Sequence, residues 1–151
     1  MTIGNLHELE GQQVGLTDWM VVTQSRIDLF ADATDDRQWI HLDRERAEND
    51  SPYGTTIAHG FLTLSLLSHL SKNILPVDGV TMRVNYGLNK VRFPAAVRVD
   101  SRVRGRFVLS SVKEFFGATG SGADITLAAT IELDGAEKPC CVAEWIIRYY
   151  R

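Results

Sequence analysis

The chain is poor in cysteine, which excludes a disulfide scaffold. Only Cys140 and Cys141 occur among 151 residues. They are sequence neighbours in a strand-like segment, where successive side chains point to opposite faces, so we expect no disulfide between them. No further cysteine accompanies them, and we therefore expect no zinc site. The fold must depend on an apolar core.

Positive charge is also in short supply. Sixteen Lys and Arg residues against nineteen Asp and Glu residues give a formal net charge of -3, and the basic residues never form a run. This pattern lacks the basic field that a phosphate backbone attracts. We expect no nucleic-acid partner.

The sequence has no apolar run suited to crossing a membrane. The longest apolar stretch, residues 57–75, is interrupted by the polar residues His59, Ser65, Ser68, His69, Ser71 and Lys72. Residues 1–10 are polar and carry acidic groups, unlike a secretory signal. The expectation is a cytoplasmic protein without membrane contact.

What is present is the composition of an ordinary globular domain, with 44% hydrophobic and 23% charged residues. A chain of this length buries roughly 68–70% of its unfolded surface. Since no linker, repeat or low-complexity segment interrupts it, we predict a single domain spanning residues 1–151.

The order of elements predicts an α+β fold. Residues 57–75 are apolar on nearly all sides, which indicates a long buried helix. An early strand near residues 14–22, a helix from Thr23 to near Thr34 and a helical turn at residues 44–48 precede it. Four strands follow it without intervening helices, at residues 80–93, 97–116, 123–133 and 140–150. This segregation predicts an antiparallel sheet wrapped around the helix.

The glycine-rich segment at residues 117–122 stands between two of these strands. No helix follows it, so we interpret it as a hairpin loop and not as a phosphate cradle.

A candidate catalytic pair lies upstream of the long helix. Asp36 and His41 are five residues apart in a predicted loop, and a carboxylate with an imidazole suits the activation of water. From the spacing alone a second interpretation stays open, in which Asp36 caps a turn and His41 is packed or solvated. Because both lie in a polar loop, we expect substitutions there to leave the fold intact.

The start of the long helix offers a site for developing negative charge. Gly60 has no side chain to block approach, and free N–H groups at a helix start can polarise a thioester carbonyl. Gly60 also permits close packing of helix and sheet, and both roles can hold together. We interpret His59 as a structural hydrogen-bonding residue.

Three segments together resemble the MaoC-like and (R)-specific enoyl-CoA hydratases. They are DDRQWIHLD at residues 35–43, IAHGF at residues 57–61 and NYGLNKVRFP at residues 85–94. The resemblance covers nearly the whole chain. The sequence is particularly similar to the single-hot-dog members of actinobacteria and mycobacteria. It implies a hot-dog fold and a lyase of fatty acid metabolism.

The resemblance also implies the site residues. Asp36 and His41 would jointly hold the water that adds to a trans-2-enoyl thioester, giving the (R)-3-hydroxyacyl product. Gly60 and Ser68 would bind substrate. The chain departs from the commonest pattern at Asp35, where many relatives have glycine, and at residues 38–39, where many have asparagine and proline. These departures alter the packing of the loop more than its chemistry.

The same resemblance implies no cofactor and no metal, an acyl-CoA or acyl carrier protein substrate, and a homodimer that covers an exposed sheet edge. Three alternatives stay open: a 3-hydroxyacyl-thioester dehydratase running the reaction in reverse, a hot-dog thioesterase, and a non-catalytic acyl-binding subunit. A thioesterase would differ from a hydratase by hydrolysing the thioester. A non-catalytic subunit would be expected to have lost Asp36 or His41, and both are present here.

Overall fold

The computed structural model describes residues 1–118 and 120–151. Thr119, part of the glycine-rich segment interpreted as a hairpin loop, lies outside the described residues. A 3-10 helix at Ile3–Leu9 comes first. The strands are β1 (Gln13–Leu16), β2 (Met20–Val21), β3 (Met82–Arg92), β4 (Arg102–Gly117), β5 (Gly120–Leu133) and β6 (Cys141–Tyr150); the helices are α1 (Gln24–Thr34), α2 (Trp39–Leu42), α3 (Arg44–Asp50) and α4 (Gly60–Leu70).

The described strands form one antiparallel sheet with α4 against one of its faces. Their order is β1-β4-β5-β6-β3, and β2 pairs with β4 beside β1. The apolar side chains of α4 join those of β4, β5 and β6 in a single core. The arrangement confirms the predicted α+β hot-dog fold.

Strand β6 shows how the sequence pattern produces the sheet. Buried and half-buried residues alternate along its whole length. The buried set, which includes Trp145 and Tyr149, faces the core, while Glu144 and Arg148 lie on the other face. This is the face assignment that period-two alternation predicts.

Helix α4 differs from its prediction in length and in burial. It spans Gly60–Leu70, whereas the sequence predicted a helix over residues 57–75. Before it, Ile57 makes a strand-like bridge to Arg98. One side of the helix is buried, but Phe61 is 69% exposed, and Ser65 and Ser68 are exposed on the same side. The prediction of burial on nearly all sides was therefore wrong for the isolated chain.

The start of the chain differs from its prediction as well. The expected strand at residues 14–22 is two short strands separated by residues 17–19. At this break the N–H of Gly105 donates to the Thr17 hydroxyl in place of a backbone carbonyl of the early strand. The 3-10 helix was not predicted, because most of this segment is polar. Ile3 and Leu6 are buried in the core, and Leu9 packs against it. Strand β4 begins at Arg102, after Asp100 adopts a left-handed φ of 63°.

Helices α1 to α3 form a layer beside the start of α4. Ile27, Ala31 and Ala47 anchor this layer through buried side chains. The N–H of Ile57 donates to the carbonyl of Ile40, which joins the layer to the segment leading into α4. Among the described residues, no helix combines the length and apolarity needed to span a membrane.

Candidate active site

His41 lies in a short helix and is buried, not in an open polar loop as predicted. It belongs to α2 and is 6% exposed. Its Nδ1 lies 2.7 Å from the carbonyl oxygen of Ile57. Because a carbonyl can only accept, Nδ1 carries the hydrogen, and Nε2 of the neutral ring is left as an acceptor.

The surroundings of His41 lower its pKa. Burial is the largest cause, because it disfavours the charged imidazolium; the nearby His59 lowers the pKa further. The hydrogen bond to Ile57 and the carboxylate of Asp36 act in the opposite direction without overcoming burial. His41 is thus held as a neutral imidazole with one free acceptor nitrogen.

His59 connects the two predicted catalytic residues. It is 2% exposed, and its Nε2 donates to the backbone carbonyl of Asp36 at 2.9 Å. Its ring stacks on His41, while its Nδ1 is buried without a hydrogen-bond partner among the described residues. These contacts agree with the structural hydrogen-bonding role predicted for His59.

Asp36 is brought next to the two imidazoles by the way α1 ends. Asp35, the C-cap of that helix, has a left-handed φ of 57°, and the chain turns there toward α4. One ligand atom from each of Asp36, His41 and His59 lies within 4.8 Å of the other two. Asp36 is exposed and both histidines are buried. The structure therefore brings Asp36 and His41 together.

The same three side chains are a poor fit for a metal ion. An imidazole binds metal through a lone pair in the plane of its ring. The rings of His41 and His59 are stacked with only 25° between their planes, so their lone pairs do not converge on one point. Holding an ion would require one ring to turn out of the stack. The geometry favours hydrogen bonding to a small polar molecule.

Gly60 lies at the first position of α4, where its N–H has no intrahelical acceptor. It lines a cavity of about 350 Å³ together with His41, Phe93 and Cys140. A Cβ at this position would lie 3.0 Å from the Phe93 ring. Gly60 thus permits close packing against Phe93, which is one of the two roles considered for it. Its N–H is also available for the other role, the polarisation of a thioester carbonyl.

Ser68 is placed apart from the Asp36 and His41 pair. It lies eight residues after Gly60 on α4, about 12 Å along the helix at 1.5 Å per residue. Its Oγ accepts a hydrogen bond from Nδ2 of Asn85 at 3.3 Å. It lines a groove between α4 and β3 whose floor includes Trp145. Its position suits contact with a long substrate and not with the atoms near His41.

Two polar residues that the sequence did not single out lie behind His41. Gln24 and Thr56 are both buried and hydrogen bonded to each other. Gln24 also donates to the backbone carbonyl of His41. A glutamine at the start of a helix and a threonine in a loop carry no distinctive pattern, and they are 32 residues apart.

Fold and site together define a hot-dog domain with a carboxylate and an imidazole beside the start of its central helix. A family model described as a MaoC like domain matches residues 6–129. The chain therefore belongs to the MaoC-like domain family, as the sequence motifs predicted.

Individual relatives agree with this assignment. The 3-hydroxyacyl-thioester dehydratase Z of Mycobacterium tuberculosis (strain ATCC 25618 / H37Rv) is 49% identical over 148 residues, which is 98% of this chain and 95% of that protein. Nodulation protein N of Rhizobium leguminosarum bv. viciae is 50% identical over 137 residues, covering 90% and 83%. The structure of R-Hydratase PhaJ1 from Pseudomonas aeruginosa has a TM-score of 0.72 at 22% identity, covering 94% and 82%, and shares the fold.

Proposed function

We propose that the chain is an (R)-specific 2-enoyl-CoA hydratase, which adds water to trans-2-enoyl thioesters. The observation that carries this proposal is the meeting of the Asp36 carboxylate and the His41 imidazole within 4.8 Å, beside the start of α4. Membership in the MaoC-like family supports a hydratase or dehydratase activity. The proposal extends this activity to the (R) stereochemistry and to an enoyl-CoA substrate.

In this mechanism Asp36 and His41 hold one water molecule. The His41 Nε2 and a carboxylate oxygen of Asp36 are both acceptors, so each takes one of the hydrogens of the water. The oxygen then faces the substrate and forms a bond to the β-carbon. One of the two residues takes the proton that the water loses, and this proton is then passed on to the α-carbon, so that the elements of one water are added and both residues return to their starting state.

Gly60 acts on the thioester in the same step. As the β-carbon is attacked, negative charge develops on the thioester oxygen of the enolate. The Gly60 N–H, free at the start of α4, donates to that oxygen and is aided by the helix dipole. The acyl chain extends along the groove between α4 and β3, where Ser68 contacts it.

The same residues catalyse the reverse reaction, because a catalyst accelerates both directions. The relative named 3-hydroxyacyl-thioester dehydratase Z supports dehydration as the alternative direction. Substrate supply decides which direction operates. The carrier, CoA or acyl carrier protein, is tested by offering the same acyl group on each.

Purified protein with crotonyl-CoA provides the test. We expect the conjugated absorbance to disappear while no free thiol is released, since water adds and the thioester survives. An (S)-specific 3-hydroxyacyl-CoA dehydrogenase added to the mixture should give no signal. Prompt thiol release would refute the proposal and indicate a thioesterase. A substrate that stays unchanged would indicate a non-catalytic binding subunit.

We further propose that the protein is a homodimer joined through β3. This strand lies at the edge of the sheet, is eleven residues long and is exposed over most of its length. Its side chains include Val84, Tyr86 and Leu88, all exposed large hydrophobics. A long exposed apolar edge favours pairing with a second copy. The exposed Phe61 on α4 lies beside this edge through its contact with Phe93.

Light scattering at low micromolar concentration should give twice the chain mass of 16.9 kDa. Phe61→Glu should shift the population to monomer, because it introduces a charge at the proposed interface. Phe116→Glu is the matched control, since Phe116 is equally exposed but lies at the end of β4. A monomeric wild type with full activity would refute the homodimer.

A further inference from the structure

We infer that Gln24 is a positioning residue for His41, acting through a hydrogen-bonded clamp that it forms with Thr56. The inference rests on the proposed function for its effect on catalysis. The clamp itself is a feature of the fold and can be tested without substrate.

The clamp joins α2 to the segment that precedes α4. The Gln24 Nε2 donates to the backbone carbonyl of His41 at 2.8 Å, and Gln24 Oε1 accepts from the Thr56 hydroxyl at 2.6 Å. One amide group therefore bridges the residue that carries the imidazole and the residue before Ile57. The second hydrogen of Nε2 is used by Asp28, which accepts at 2.8 Å and fixes the orientation of the amide.

This bridge sets the position of the atom that orients the His41 ring. Nδ1 of His41 donates to the carbonyl of Ile57, the neighbour of Thr56. The N–H of Ile57 in turn donates to the carbonyl of Ile40, the neighbour of His41. The two segments are thus held together on both sides of the imidazole. If they separate, the Ile57 carbonyl moves away from Nδ1 and the tautomer is no longer fixed.

Burial makes the clamp sensitive to the loss of either partner. Gln24 is 9% exposed and Thr56 is fully buried, at 0%. An apolar residue in place of Gln24 leaves the His41 carbonyl and the Thr56 hydroxyl without this partner in the interior. A buried polar group without a hydrogen-bond partner is costly, so these two groups are expected to move toward another partner or toward water. Either movement displaces the backbone. The most direct displacement is of His41 relative to Ile57.

The variants Gln24→Leu and Thr56→Val test the clamp from its two sides. Thr56→Ser keeps the hydroxyl and should restore most of what Thr56→Val loses. Gln12→Leu is the matched glutamine control, because Gln12 is exposed and its side chain bonds, among the described residues, only to the Glu8 carbonyl. Ile131→Val, in the core of β5, controls for a general loss of stability.

The main readout is the tautomer of His41, followed by nitrogen NMR of the imidazole at a pH where the ring is neutral. We expect wild type and both controls to hold the hydrogen on Nδ1, and Gln24→Leu and Thr56→Val to give a mixture of tautomers. Turnover of crotonyl-CoA should fall roughly 10-fold to 100-fold in these two variants with little change in KM, since misplacement of a reacting group acts on the chemical step.

A single Nδ1–H tautomer in folded Gln24→Leu and Thr56→Val would overturn the inference, as would a turnover no lower than that of Ile131→Val. The tautomer measurement stands even if wild type does not hydrate crotonyl-CoA. A failure of the proposed function is therefore separate from a failure of the clamp. If Gln24→Leu does not fold, Thr56→Val against Thr56→Ser supplies the comparison.

Discussion

The imidazole rings of His41 and His59 lie stacked, with centroids 3.8 Å apart and 25° between their planes. His59 also holds the backbone of Asp36 through its Nε2. One buried ring thus touches both members of the proposed catalytic pair. Two stacked imidazoles in a buried site disfavour two positive charges, so the protonation of His41 depends on its neighbour.

The first prediction concerns this dependence. His59→Phe keeps an aromatic ring against His41 but removes the second imidazole and the bond to the Asp36 carbonyl. Because His59 lowers the pKa of His41, we expect that pKa to rise toward 6.5 in the variant. Proton NMR titration of the His41 ring measures it. His69→Phe, at an exposed histidine of α4, is the control and should leave the His41 titration unchanged. A His41 pKa that falls would contradict the assigned role of His59.

The second prediction concerns the catalytic pair. Asp36→Asn preserves size but cannot take up a proton, and His41→Gln removes the imidazole while filling more of its space than alanine. Each should slow turnover of crotonyl-CoA by roughly 10²-fold to 10⁴-fold. The double variant should be little worse than the worse single variant, because residues that act on one water do not contribute additively.

The two substitutions differ in their effect on stability. Asp36 is exposed, so Asp36→Asn should leave the melting temperature nearly unchanged. His41 is buried and bonded to Ile57, which corrects the expectation that its loss would be structurally neutral. His41→Gln should therefore lower the melting temperature by a few degrees. Near-native turnover in Asp36→Asn would remove Asp36 from the mechanism.

The third prediction concerns stability against pH. The pKa of His41 is lowered in the folded state from 6.5, so below that value the unfolded chain binds more protons than the folded chain. The stability gained by keeping His41 neutral is complete above pH 6.5 and is lost as the pH falls through the folded-state pKa. Urea unfolding of wild type and His41→Gln across this range isolates the effect. The difference between their free energies of unfolding should shrink or change sign as the pH falls; a pH-independent difference would contradict it.

The fourth prediction concerns the end of α1. Asp35 has a left-handed φ of 57°, a conformation that glycine adopts without a Cβ penalty. Asp35→Gly should raise the free energy of unfolding by about 0.5–1 kcal/mol. Ala33→Gly, two residues earlier and exposed within the helix, should lower it by about 1 kcal/mol. Urea denaturation measures both, and a destabilised Asp35→Gly would show that the Asp35 side chain stabilises the turn.

The sequence predicted those helices and strands in which buried and exposed residues alternate regularly or in which a capping residue marks an end. The alternation in β6 identified its buried face, and Thr23 marked the start of α1, where its side chain accepts from the N–H of Arg26. The departure at Asp35 was visible in the sequence, but its left-handed conformation was not. Periodicity reports which face is apolar and does not report backbone angles at a single residue.

Contacts between distant segments could not be predicted in the same way. The spacing of Asp36 and His41 suggested a pair, but the stack of His41 on His59 depends on how the layer of α1 to α3 meets α4. The exposed face of α4 was missed because apolar side chains such as Phe61 look the same whether their own sheet or a second copy covers them. Ser68 and Gly60 stay predictions as substrate-binding residues.

The neighbouring thiols of Cys140 and Cys141 have a practical consequence for these experiments. Both are free and buried, and burial raises their pKa values to about 12 and about 11. At neutral pH almost no thiolate is present, and neither sulfur is open to a reagent. A disulfide reagent that detects released CoA should therefore have no background from the folded protein. If the reagent slowly labels Cys140 or Cys141, the rate of labelling would measure how often the start of β6 separates from the neighbouring strands.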